Sequence, residues 1–129
     1  MDRLTERLAL ALRALRTLQE ALREPKTPMN RDASIQRFEY TFEAAWKAAQ
    51  LYLRVAQNLE LASPTAVARA CFQSALLTED QGRTALSMCG DRNLTVHTYN
   101  EELADEIYSR LPAYADLMEG WLIAISRSL

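Results

Sequence analysis

The sequence predicts an all-α protein, one helical bundle of about five helices joined by short connections. Three observations predict it. The 129 residues hold only three glycines and four prolines, too few turn formers for a fold built of hairpins. Alanine, leucine, glutamate and arginine dominate, and these are strong helix formers. Apolar residues recur at alternating steps of three and four, the period of an amphipathic helix. At this length the chain reads as one domain, residues 1–129, with 49% hydrophobic residues to fill its core.

The first helix is expected over 2–23, where Leu4, Leu8, Ala11, Leu15, Leu18 and Leu22 form the apolar stripe. Its many arginines, Arg3 and Arg7 among them, read as a solvated face, not as an RNA-binding stripe. Pro25-Lys-Thr-Pro28 breaks the chain, because proline cannot continue a helix and restrains its predecessor. A long second helix is expected from about 30 to 59, with Ile35, Phe38, Phe42, Ala45, Ala49, Leu53 and Ala56 inward. At about 1.5 Å per residue it forms a rod of roughly 40 Å. Such a rod needs partners along its length, so the first and last helices are expected to run antiparallel to it. Phe38, Phe42 and Trp46 recur at intervals of four, which suits core packing better than base stacking.

Ser63-Pro64 marks the next start, Ser as N-cap and Pro at the first helical position. A third helix is expected over about 64–77 with Val67, Cys71 and Leu76 buried. Thr78-Glu-Asp80 restarts the chain into a fourth helix ending near residue 90. Asn100, followed by Glu101 and Glu102, is another N-cap signature. The last helix, about 100–127, carries Leu103, Ile107, Leu111, Tyr114, Met118, Trp121 and Ile125 inward. Pro112 lies inside it, and at about 3 kcal/mol for an interior proline a kink or break is expected there.

The bulk chemistry narrows the function classes. A formal net charge of −2 does not advertise a nucleic-acid binder, though it leaves room for a local phosphate site. The N-terminus lacks the apolar core of a signal peptide, and no apolar stretch reaches about 18 residues. The cytoplasm, with no membrane association, is the expectation. Cys71 and Cys89 match no zinc spacing and read as buried helix residues. No metal or cofactor motif is present. Acidic pairs four apart, Glu39/Glu43 and Glu101/Asp105, read as exposed helix faces.

One segment stands apart. Between the fourth and fifth helices lies Arg92-Asn-Leu-Thr-Val-His97-Thr-Tyr99. Arg92 supplies a permanent forked donor suited to phosphate. His97, the only histidine, supplies an imidazole, the side chain most often used as a general acid or base. Asn93 adds a neutral polar group and Tyr99 a hydroxyl. Placed between helices, these side chains are expected to converge.

Arg37-Phe-Glu-Tyr-Thr-Phe-Glu-Ala-Ala-Trp-Lys47, Ser63-Pro64 with Val67 and Phe72, and Met88 with Asp91-Arg-Asn-Leu-Thr-Val-His-Thr-Tyr-Asn-Glu101 together resemble the nucleotidyltransferase substrate-binding protein family of the HEPN superfamily, which also contains the HepT toxins. The resemblance runs from about residue 30 to the end. It implies a HEPN-like bundle, an antiparallel up-and-down arrangement with a four-helix core, usually a homodimer, and a partner, a minimal nucleotidyltransferase encoded nearby. In HepT-like members it implies a toxin–antitoxin pair and a metal-independent endoribonuclease site, with RNA or a nucleotide as ligand. Arg92 and His97 are then catalytic, Asn93 and Asp91 supporting, and Tyr99 the residue that receives AMP. The sequence is closer to the substrate-binding branch, which keeps a non-catalytic interaction subunit as the alternative. It departs from its relatives at Ala85, where Trp is frequent, and at Ala75, where Gly is common.

Overall fold

A computed structural model describes residues 2–129. Its elements are α1 (Arg3–Arg23), α2 (Pro28–Gln57), α3 (Pro64–Gln73), α4 (Glu79–Leu94), a short 3₁₀ turn (Thr95–His97) and α5 (Glu101–Arg127). Each α-helix opens on a capping side chain that accepts from the backbone N–H three residues on: Asp2, Thr27, Ser63, Thr78 and Asn100. Such a cap contributes about 1 kcal/mol each. At α4 it is reciprocal, since Gln81 also accepts from the Thr78 N–H.

The contacts set the helix directions. Asn30 Nδ2 donates to the Ala21 carbonyl, while Arg37 donates to the Thr17 carbonyl, so α1 and α2 are antiparallel. Ser87 and Asp91 of α4 meet Tyr114 and Arg110 of α5, so that pair is antiparallel too. The expected antiparallel pairing of α2 with the last helix fails. Arg31 lies 3.1 Å from Asp105, and Phe38 stacks on Tyr114 at 5.6 Å, so α2 and α5 run in the same direction. The reason is topological: α4 rises between them, and in an up-and-down bundle alternate helices are parallel.

The α2 C-terminus is stopped by Asn58 in the left-handed conformation (φ 56°). The strap after it folds back along α2, where Gln50 Nε2 donates to the Leu61 carbonyl at 2.6 Å. The third helix ends at Gln73, earlier than expected. Ala75 adopts φ 63°, its N–H bonds Phe72 O, and the Leu76 N–H bonds Cys71 O. That is the paired-bond C-terminal stop that normally takes glycine, and here alanine concealed it. The stop also buries Leu77, leaving Leu76 only partly covered.

The core is contiguous through all five helices, and Phe38, Leu18, Ile107, Met118 and Trp121 are essentially inaccessible. The expected stripes hold except at their ends: Leu22 and Leu103 are partly covered and Ala56 is exposed. Cys71 and Cys89 are free and buried, and burial pushes the Cys71 thiol up to about 11. Arg31 is only 5% exposed and pairs with Asp32, Glu101 and Asp105, tying the starts of α2 and α5 together. Pro112 does not break α5, which is continuous through it. No helix among the described residues is long and apolar enough to cross a membrane.

Candidate functional site

The fourth helix runs four residues past its expected end. Gly90 is exposed on it, and nothing lies within 4 Å of where a side chain would start. A glycine there costs about 1 kcal/mol of helix propensity, which α4 absorbs. Arg92 and Asn93 therefore sit on the last turn of α4, not in a loop. His97 closes the 3₁₀ turn, and Tyr99 lies just before the α5 cap.

Thr95 makes this ending. Its buried hydroxyl donates to the Arg92 carbonyl at 2.7 Å and accepts from Arg92 Nη1 at 3.0 Å. One side chain thus satisfies a terminal carbonyl and fixes the guanidinium. Two glutamates of α2 hold it from the other side: Glu39 lies 3.4 Å from Nη1 and Glu43 3.6 Å from Nε. Arg92 Nε is nonetheless buried without a hydrogen bond, an unfulfilled donor in a polar groove. The sequence alone assigned Glu39 and Glu43 to an exposed face and gave Thr95 no role. Their only signal was the i,i+4 acidic pair on the helix that carries Phe38 and Phe42.

The groove beside Arg92 has a volume of about 240 Å³ and is lined by Glu43, Thr65, Cys89, Arg92, Asn93 and Val96. His97 does not line it. Five residues on from Arg92 at about 100° each, the chain has turned roughly 140° past a full circle. The His97 ring instead meets Tyr99 edge-on, centroids 5.9 Å apart, with Nδ1 3.4 Å from the phenol oxygen. Tyr99 is 83% exposed, and Leu94 and Val96 of the same segment are exposed as well. The expected convergence is therefore partial: Arg92 and Asn93 share a groove, His97 and Tyr99 share another face.

Asp91 belongs to neither. Its carboxylate is turned inward, accepting from Arg110 at 2.6 and 3.1 Å and from the Tyr114 hydroxyl at 2.5 Å. Tyr114 also bonds Ser87. Asp91 thereby anchors the end of α4 to α5 directly beneath the motif. Burial, then the hydrogen bond to Asp91, raises the Tyr114 hydroxyl above the usual phenol range. Among the described residues no three His, Cys, Asp or Glu side chains converge as a metal site.

Residues 6–127 match the family described as nucleotidyltransferase substrate binding protein like. The chain belongs to that family. A crystal structure of a Thermus thermophilus protein is similar to this family member at 54% identity, with a TM-score of 0.86, over 89% of this chain and 98% of that one. The fold is also that of a tri-AMPylated HEPN toxin from Shewanella oneidensis, solved in complex with an MNT antitoxin. There the TM-score is 0.75 at 18% identity, over 98% of this chain and 99% of that one. A toxin–antitoxin structure with AMP-PNP gives 0.67 at 16% identity, over 97% and 99%. These last two show a shared fold. Among curated protein sequences, none matches the chain.

Proposed function

We propose that this chain, acting as one cytoplasmic domain, is the HEPN partner of a minimal nucleotidyltransferase. In this reading it is the toxin component of a toxin–antitoxin pair, with a metal-independent ribonuclease site completed across a homodimer. The observation that carries the reading is the splitting of the motif. Arg92 and Asn93 line a groove that His97 of the same chain does not line, while His97 stands exposed against Tyr99 in a segment whose Leu94 and Val96 are uncovered too. A two-fold axis through that apolar face brings two Arg92 and two His97 side chains to one cleft.

The chemistry needs two proton carriers. One His97 takes the proton from a ribose 2′-hydroxyl, whose oxygen attacks the adjacent phosphorus. The other gives a proton to the departing 5′-oxygen, leaving a 2′,3′-cyclic phosphate. Arg92 stabilises the charge that builds on the phosphorane, and Asn93 donates to a non-bridging oxygen. Asp91 supports this from beneath by fixing the last turn of α4. Tyr99 is the acceptor for AMP. Its oxygen attacks the α-phosphorus of ATP held by the nucleotidyltransferase, pyrophosphate leaves and the phenolic proton passes to solvent. The adduct places a nucleotide beside His97 and blocks the cleft.

The test is RNA cleavage by purified protein. His97→Ala and Arg92→Ala should each lower the rate at least a hundredfold, since a positioned acid–base group supplies about 10²–10⁴. Equal degradation by native and His97→Ala protein sinks the reading. Incubation with the nucleotidyltransferase and ATP should add AMP to the native chain, not to Tyr99→Phe, and silence cleavage. A second reading is favoured by the two glutamates that already occupy Arg92: a non-catalytic subunit that binds the nucleotidyltransferase and presents a nucleotide to it. Co-purification with that partner, no cleavage and an unmodified Tyr99 would select it.

A further inference from the structure

The motif groove is short of positive charge. Arg92 is its one cation, and Glu39 and Glu43 both lie against it. An RNA strand arriving there meets net negative charge. Any chain that handles RNA at this groove needs cations elsewhere along the strand's path, and a second, larger cavity supplies them.

That cavity, about 530 Å³, lies between the start of α1, the C-terminal half of α2 and the strap after it. Four cations line it, Arg3, Arg7, Lys47 and Arg54, against the single acid Glu60. None of the four makes an ion pair among the described residues, in a chain whose other cations include Arg31, Arg83 and Arg110 in pairs. The wall is built, because Asn58 reverses the chain and Gln50 clamps the strap to α2.

The cavity continues the motif groove. On α2, Lys47, Gln50 and Arg54 follow Glu43 at steps of four, three and four, so all four fall within an arc of about 60° on one helix face. Lys47 lies about 6 Å and Arg54 about 16 Å along the axis from Glu43. The opposite wall is continuous too: Leu61 and Ala62 line the cavity, and Pro64 and Thr65 line the motif groove.

We propose that this basic cleft is a binding track for the phosphodiester backbone of single-stranded RNA, flanking the scissile phosphate held by Arg92. The proposal rests on the ribonuclease reading above. Its lining holds leucines and no aromatic ring, so it provides no stacking platform and recognises phosphates with little regard to base. The cleft supplies affinity, the motif supplies chemistry, and a chain of net charge −2 carries its RNA site as a local feature.

The experiment uses the full-length His97→Ala protein and a fluorescein-labelled oligouridylate, read by fluorescence anisotropy across a salt series. Each phosphate contact on a single strand contributes about −0.7 to the slope of log affinity against log salt. The triple variant Arg7→Gln/Lys47→Gln/Arg54→Gln should flatten that slope by about two and weaken binding about a hundredfold at 0.1 M salt. Each single variant should weaken it about fivefold. The charge-preserving Arg7→Lys/Lys47→Arg/Arg54→Lys protein should bind nearly as the parent does. Overlaid thermal melts check that the substitutions, at exposed Lys47 and Arg54 and half-buried Arg7, leave the fold intact. Unchanged affinity and slope in the triple variant overturn the track. Displacement of the RNA by sodium tripolyphosphate, equally effective per phosphate, overturns it in favour of a compact anion pocket. Because binding is read in a protein without His97, the two ideas fail separately. Cleavage that survives His97→Ala removes the ribonuclease reading, and the cleft is then judged on binding alone.

Discussion

Ala75 carries a left-handed backbone (φ 63°) at the end of α3. For a residue with a Cβ this conformation costs roughly 1–2 kcal/mol, part of which glycine gives back through its freer unfolded chain. Ala75→Gly should therefore raise stability by about 0.5–1 kcal/mol, seen as a rise of a few degrees in melting temperature. A lower melting temperature would mean that the methyl group's packing outweighs the backbone strain. Arg92 is a second residue whose state is set by neighbours. Its two glutamates are 33% and 41% exposed, so each pair is worth no more than about 0.5 kcal/mol after screening. That is weak enough for a phosphate to displace. Glu39→Gln/Glu43→Gln should bind oligouridylate about three- to fivefold more tightly at low salt, and the gain should vanish at high salt. A loss of binding instead would show that the glutamates orient Arg92 for its ligand.

At the scale of elements, much of the architecture was legible because it is written in period and caps. The stripes of α1, α2 and α5 and the caps Ser63 and Asn100 lie where the sequence placed them. What misled were residues whose local preference lost to tertiary context. Ala75 favours a helix yet ends one; Gly90 suggests an end, yet α4 continues to Leu94. That second error moved Arg92 and Asn93 from a loop onto a helix, and it hid the split between them and His97. Glu39 and Glu43 were invisible as site residues because their partner is 53 and 49 positions away in sequence. Pro112 is the same lesson inside α5. The helix passes through it unbroken and forgoes the bond to the Tyr108 carbonyl, at a local cost of about 3 kcal/mol. Burial of Ile107, Leu111, Tyr114 and Ala115 outweighs this, at about 1.5–3 kcal/mol for each large apolar side chain. Pro112→Ala should raise the urea midpoint, by the equivalent of about 1–2 kcal/mol once the stiffer unfolded chain of the native protein is allowed for. No change would show that the bond forgone at the Tyr108 carbonyl costs the helix little.

Over the whole molecule, the motif's geometry depends on how α4 is fastened to α5, and that fastening is titratable. Asp91 is held by Arg110 and by the buried Tyr114 hydroxyl. The phenol must stay neutral to donate, and its raised ionisation, caused first by burial and then by the Asp91 carboxylate, is a stability statement. In the unfolded chain tyrosine ionises near pH 10. Between that value and its raised folded value the unfolded state releases the proton first, so stability falls as pH rises. The contribution is complete below about pH 10 and is lost through the window above it. The Cys71 thiol, raised to about 11, acts with the same sign from lower pH, so the native decline contains both. Comparison with Tyr114→Phe isolates the phenol. At neutral pH that variant should lose about 1–2 kcal/mol, the worth of a hydrogen bond to a charged acceptor. In the alkaline window it should lose less stability with pH than the native chain, so the two urea-midpoint profiles converge. Profiles that stay parallel through that window would show that Tyr114 does not ionise on unfolding and that the α4–α5 fastening is insensitive to pH.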